Sequence, residues 1–305
     1  MISYFVDFST ALEMTIRETT LFHYLYIMIS SKKFITCADG HKEKLVVLEP
    51  GEGQPGYGRK DRTGMLWVHG GGYREGAAAL PKYIGRAKAC VEKYGTVVVS
   101  PGYRLSIEAP FPAAIDDCYD ALVYFAGHAE EFGVREDQIF VGGESAGGGL
   151  CVALCLMARD RSSVQIAAQF PLYPMLDDRD TETSAHNFSP GWNTPQNHLA
   201  WKLYLRDQYG TDEVSKYAAP ARETDYSNLP PCYTFCCTNE PFLAETKTYI
   251  EKLHKAGIPA DVDIYEGLIH GFDVLMPRSK VAHEAARKFE EHFLEAQKNY
   301  FKPQI

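Results

Sequence analysis

The sequence has no apolar run long enough to cross a bilayer. Residues 21–29 are apolar, but a spanning helix needs about 20 such residues and this stretch also carries His23. Basic residues are in deficit, with 31 Lys and Arg against 40 Asp and Glu and a formal net charge of -9. That balance argues against a nucleic-acid partner and leaves no basic patch for an anionic membrane, so membrane insertion is not expected. The 8 cysteines include no C-x-x-C pair and no framework spacing. Most lie in apolar runs, which predicts reduced core thiols rather than disulfides or metal ligands. Neither H-E-x-x-H nor a phosphate loop occurs, so no metal and no organic cofactor is expected. The N-terminus lacks a basic region followed by an apolar core and a cleavage site, and the expectation is a soluble, cytoplasmic protein. There is no internal repeat and no low-complexity tract.

What is present is ordinary globular composition, 45% hydrophobic and 23% charged over 305 residues, enough for one large α/β domain or two smaller ones. One stretch organises the rest. Residues 138–141 read as a buried strand and residues 150–159 as a buried helix. Between them, Gly143-Glu144-Ser145-Ala146-Gly147 has the form G-x-S-x-G, the turn that holds a nucleophilic serine between strand and helix. The serine sits at a strained backbone angle, and side chains two residues before and after it would collide across the turn. The helix that follows points its first N–H groups at the site, where they favour developing negative charge.

In chain order, residues 1–33 look helical, with apolar residues recurring every three or four positions. They read either as a helix pair packed on the core or as a lid over a pocket. Residues 45–48 form a first strand, paired with 34–37, and 49–63 is a mobile, turn-rich loop. The strand 65–68 runs into His69-Gly70-Gly71-Gly72-Tyr73. Three glycines there are either a tight turn or a loop whose bare N–H groups face a reacting carbonyl. A helix at 87–93, a strand at 96–100 and a helix at 115–126 follow. Asp116, Asp117 and Asp120 in its early turns suit the helix dipole, and Arg104 is expected to pair with Asp116 or Asp117. Residues 164–172 read as a strand. Residues 177–216 break the alternation, are dotted with aromatics, and read as the second half of a lid. Strands at 232–238 and 261–265 and helices at 242–256 and 280–297 close the chain. Such alternation predicts a mostly parallel sheet covered by helices on both faces.

A serine nucleophile needs a base, and the base an orienting acid. On this topology they follow in the order serine, acid, histidine. His270 follows a late strand, where a loop would return it to the carboxyl edge of the sheet beside Ser145. His254, His283 and His292 lie on helices and are expected to face solvent, while His186 and His198 fall in the insertion. Glu240, two residues past the strand 232–238, is the candidate acid. It would fix the imidazole tautomer, although an acid at a helix start also serves the dipole alone. Glu245, further into that helix, competes for the role.

Together these residues resemble the hormone-sensitive-lipase-like branch of the α/β-hydrolases, the bacterial esterases with a His-Gly-Gly-Gly loop (family IV). The match runs from about residue 45 to the C-terminus. It rests on His69-Gly70-Gly71-Gly72, Tyr103-Arg104-Leu105 with Phe111-Pro112-Ala113-Ala114 and Asp116-Asp117, and Gly143-Glu144-Ser145-Ala146-Gly147-Gly148. Ala219-Pro220, Leu229-Pro230-Pro231 and His270-Gly271-Phe272 extend it. The resemblance implies an α/β-hydrolase catalytic domain over 34–305, with 1–33 and about 177–216 as a helical cap. It implies Ser145 as nucleophile and His270 as base. The backbone N–H groups of Gly71, Gly72 and Ala146 match its oxyanion hole, and His69 a histidine that keeps the glycine loop in shape. Tyr73 and Trp192 become candidate pocket-lining residues. One departure stands out: Glu240 occupies a place where the family usually carries Asp, and is one methylene longer. Ser106-Ile107-Glu108-Ala109 departs as well, without an assigned function.

The expected activity is hydrolysis of short-chain acyl esters, acetyl to about hexanoyl, through an acyl-enzyme. Deacetylation of sugars and hydrolysis of aryl-formamides or other amides use the same machinery and remain alternatives. A non-catalytic receptor on this fold is the remote one. The only partner implied is a small-molecule ester, and dimerisation through an edge strand or the last helix is compatible with the fold.

Overall fold

The computed structural model describes residues 28–83 and 85–304. The helical reading of residues 1–27 lies outside them. Eight strands form one sheet: β1 (Ile29–Thr36), β2 (Lys42–Glu49), β3 (Arg62–Val68), β4 (Val97–Pro101), β5 (Val134–Glu144), β6 (Ala168–Leu172), β7 (Cys232–Asn239) and β8 (Ala260–Ile269). Their spatial order is β1-β2-β4-β3-β5-β6-β7-β8. The first two strands are antiparallel to their neighbours, and every pairing from β4 to β8 is parallel.

Parallel pairing demands a crossover between strands, and the crossovers are helical. They contain α1 (Arg86–Tyr94), α2 (Ala113–Gly127), α3 (Ala146–Arg161), α4 (Thr194–Leu205) and α5 (Leu243–Lys255); after the last strand come the single turn α6 (Phe272–Leu275) and α7 (Lys280–Asn299). One face of the sheet is covered by α2, α3 and α5, the other by α1 and α7, each with its own apolar core. The long closing helix shows the cause plainly. Ala282, Ala285, Phe289, Phe293 and Ala296 recur at three- and four-residue spacing and are all buried. Phe289 and Phe293 are fully enclosed, and each contributes about 2–3 kcal/mol of transfer free energy. Helix α3 is instead apolar all round, and every residue from Ala146 to Ala158 is buried.

This arrangement positions the site. Because β3, β5, β6, β7 and β8 run parallel, the residues that follow them all emerge at one edge of the sheet. His69, Ser145, Tyr173, Glu240 and His270 are those residues.

Three expectations need correction. Residues 29–33 are not helical but open β1, which pairs with β2 from Ile29↔Glu49 to Thr36↔Lys42. Within this strand only Ile35 is buried, so backbone hydrogen bonds rather than an apolar face hold it, and the side chains carry no alternation to read. The sheet therefore begins before residue 34. The strand expected at 164–172 starts only at Ala168. The loop at 50–61 is turn-rich, but Pro50, Gly51 and Gln54 are buried and Gly95 packs on Gly56, so its middle is tied to the body.

Candidate active site

Ser145 sits between β5 and α3 at φ 57, ψ -121, a left-handed conformation that L-residues rarely adopt. Its neighbours hold it there. The Ser145 N–H donates to the Leu172 carbonyl, and the Ser145 carbonyl accepts from the Gly149 and Met175 N–H groups. The flanking glycines are required by contact: a Cβ on Gly143 would meet the Gly147 carbonyl oxygen at 2.4 Å, and one on Gly147 would meet the Val68 oxygen at 2.1 Å.

The Ser145 Oγ lies 2.9 Å from His270 Nε2. The other imidazole nitrogen, Nδ1, is hydrogen-bonded to Glu240 Oε2. All three side chains are buried, Glu240 being only 1% exposed. The His270 ring is boxed by Tyr173 and Phe242, each edge-on with centroids 5.0 Å away, and by Trp192 at 6.3 Å. No returning loop is needed to place His270, because β8 itself runs to Ile269 at the carboxyl edge. Glu245 turns elsewhere. Its Oε1 accepts from the Leu176 N–H at 2.6 Å and the Asp177 N–H at 3.4 Å, and burial raises its carboxyl well above the usual range.

The glycine loop after β3 borders the serine. Among the described residues nothing accepts from the Gly71 and Gly72 N–H groups. The Ala146 N–H opens α3 and has no intrahelical acceptor. The loop is braced beneath. The His69 ring stacks on Tyr103 with centroids 4.3 Å apart, and Nδ1 lies 2.8 Å from the Gly70 carbonyl. The Tyr103 hydroxyl donates to the His69 carbonyl. Burial pushes the His69 imidazole down to about 4, which keeps it neutral near pH 7.

Glu144 was not foreseen as a functional residue. Its Oε2 accepts from Trp67 Nε1 at 2.6 Å and its Oε1 from the Gly70 N–H at 3.3 Å, so one half-buried carboxylate ties the glycine loop to β3. Burial raises it to about 7. The only sequence signal was an acidic residue inside an otherwise uncharged turn.

The pocket at this edge has a volume of about 440 Å³. Gly71, Gly72, Ser145, Trp192, His270 and Leu275 are among its walls. Trp192 presses on the loop, for a Cβ on Gly72 would meet its ring at 2.4 Å. Tyr73 does not line the pocket. It has φ 60, is 1% exposed, stacks on Tyr204 at 4.1 Å and donates to the Met175 carbonyl, so its ring supports the loop from inside. A second cavity of about 530 Å³ lies between Leu176, Tyr226, Glu245 and Lys252, away from the serine and histidine.

Of the other histidines, His254 and His283 are exposed, whereas His292 is half-buried and stacks on Tyr233 at 4.0 Å. Arg104 selects Asp117 over Asp116, with Nη2 2.6 Å and Nε 2.9 Å from its carboxylate oxygens. All 8 cysteines are free and buried. Among the described residues no helix is long and apolar enough to cross a membrane.

A strained serine after a strand, a histidine after a later strand and a glycine loop between them define a family. The sequence matches the α/β-hydrolase-fold family over residues 65–274. The chain belongs to the α/β-hydrolase family. Several of its named relatives are ester hydrolases, in keeping with the hormone-sensitive-lipase-like branch. An arylesterase of Saccharolobus solfataricus is 30% identical over 214 residues, which are 68% of this chain and 67% of that protein. An ethyl acetate hydrolase of Pseudomonas putida is 26% identical over 242 residues, covering 78% and 74%. A solved bacterial heroin esterase superposes with a TM-score of 0.79 at 32% identity, over 90% of this chain and 87% of that one. Among the curated relatives, the aligned stretch covers 56% to 74% of the relative's own length.

Proposed function

We propose that this protein is a serine carboxylesterase that hydrolyses short-chain acyl esters through an acyl-enzyme. The observation that carries the reading is the continuous chain from Ser145 Oγ through His270 to Glu240, beside a glycine loop with unengaged N–H groups. In this mechanism His270 Nε2 takes the Ser145 proton as Oγ attacks the ester carbonyl. Glu240 holds the imidazole by Nδ1 and stabilises its cation. The N–H groups of Gly71, Gly72 and Ala146 receive the oxyanion, each worth about 3 kcal/mol of transition-state stabilisation. His270 then protonates the leaving alcohol, and activates the water that releases the acid.

Short acyl groups, acetyl to about hexanoyl, fit the pocket best, because Trp192 closes on Gly72 beside the histidine. The name of the Pseudomonas putida ethyl acetate hydrolase supports the acetyl end of this range. Residues 177–216 supply Trp192 and α4, and act as the cap that shapes the pocket.

The reading is tested by mixing enzyme with p-nitrophenyl acetate, quenching within one turnover and digesting for mass spectrometry. An acetyl group on the peptide containing Ser145, preceded by a burst of p-nitrophenol, is the expected result. Steady p-nitrophenol release with Ser145 unmodified at every quench time would count against a covalent route.

A further inference from the structure

The acid of this triad has two carboxylate oxygens, and His270 engages one. The other, Oε1, is also fully engaged. It accepts from the Cys237 N–H at 2.8 Å, and the Cys236 sulfur lies 2.6 Å from it. The Cys237 sulfur, at 3.5 Å, is also within S–H hydrogen-bond reach of Oε1. The backbone is shaped for this contact: the β7–β8 ladder loses its register between Cys237 and Asn239, just where the Cys237 N–H turns to the carboxylate. Glutamate at this position has one more rotatable bond than aspartate, so a carboxylate held by one oxygen would swing about its last torsion. With Glu240 only 1% exposed and Cys236 fully enclosed, bulk water does not restrain that motion.

We infer that Cys236 is a positioning residue for Glu240: its S–H donates to Oε1 and, with the Cys237 N–H, fixes the orientation in which Oε2 meets His270. Burial raises the Cys236 thiol well above its ordinary range, so it stays protonated as a donor wherever the enzyme is assayed. A thiol is a weak donor, but its hydrogen bond to a buried charged group is worth more than one to a neutral acceptor. The consequence is specific. Losing the donor loosens the imidazole rather than the substrate pocket, so the chemical step suffers while binding does not.

The inference rests on reading Glu240 as the acid of a serine esterase, and two measurements keep the two claims apart. Cys236→Val removes the donor while keeping an apolar side chain, and Cys236→Ser restores a donor. Hydrolysis of p-nitrophenyl acetate should show kcat reduced about tenfold in Cys236→Val with KM little changed, and most of that loss recovered in Cys236→Ser. Separately, the low-field proton resonance of His270 Nδ1–H should move in Cys236→Val and stay near its wild-type position in Cys236→Ser. Wild-type kcat and an unmoved resonance in Cys236→Val would overturn the inference, as would equal losses in both variants, which would mark Cys236 as packing alone. If wild type turns over no ester, the esterase reading fails, and the resonance still decides whether Cys236 positions Glu240.

Discussion

His69 and Glu43 are both buried and held in their neutral forms, yet they pull stability in opposite directions with pH. His69 titrates at about 4 in the fold because burial disfavours its cation. Between that value and the ordinary histidine range near 6.5, the unfolded chain binds the extra proton. Its contribution is therefore complete above about 6.5 and drains away as pH falls, by up to about 1.4 kcal/mol per unit. Urea midpoints for His69→Phe should accordingly fall less steeply than wild type between pH 6.5 and 4.5. Glu43 is fully enclosed in β2 with Oε1 lacking a partner among the described residues, and burial raises it to about 9. Here the folded state keeps the proton, so stability declines as pH rises from about 4.5 towards 9. Glu43→Gln removes that slope, and should stabilise the protein by about 2 kcal/mol at pH 8 in chemical unfolding. Ser145 and His270 were legible at this scale because turn and chain order constrain them. Glu144 and Cys236 were not, since nothing in their immediate neighbours says which buried group they will face.

The elements were read correctly where burial imposes a pattern and missed where it does not. Helices α2, α3, α5 and α7 and strands β3 to β7 carry apolar faces or apolar runs, and their existence was plain in the sequence. Strand β1 was partly missed because backbone pairing with β2 holds it and, beside the buried Ile35, six of its residues are exposed and Lys33 is half-buried. The loop from Tyr103 into α2 was legible as a pair of charges. Arg104 and the fully enclosed Asp117 lock it, and Arg104 also reaches Asp39 at 2.7 Å. Arg104→Ala strands the buried carboxylate and should lower unfolding free energy by about 3 kcal/mol. At the mouth of α4, Trp192 forms one wall of the pocket. Trp192→Ala should raise the octanoyl-to-acetyl ratio of kcat/KM about tenfold by removing the ring that rests on Gly72. An unchanged ratio would assign the acyl limit to another wall.

Across the whole molecule, residues far apart in sequence meet because parallel strands deliver them to one edge. Ser145 and His270 are 125 positions apart and His270 and Glu240 are 30 apart, yet each pair is in hydrogen-bond contact. The order serine, acid, histidine already implied that convergence. What it could not give was the choice between Glu240 and Glu245, which depends on how the turn after β7 is folded. Glu240 lies beside the imidazole, while Glu245 is consumed by the N–H groups of Leu176 and Asp177. Nor could the sequence place Tyr73, whose positive φ turns the ring into the core.

The most direct test of the central claim is hydrolysis of p-nitrophenyl esters from acetyl to dodecanoyl by wild type, Ser145→Ala and Glu240→Ala. The account predicts rates that fall beyond about hexanoyl, no turnover in Ser145→Ala, and kcat lowered by about three orders of magnitude or more in Glu240→Ala. Turnover surviving Ser145→Ala, or activity nearly intact in Glu240→Ala, would contradict it.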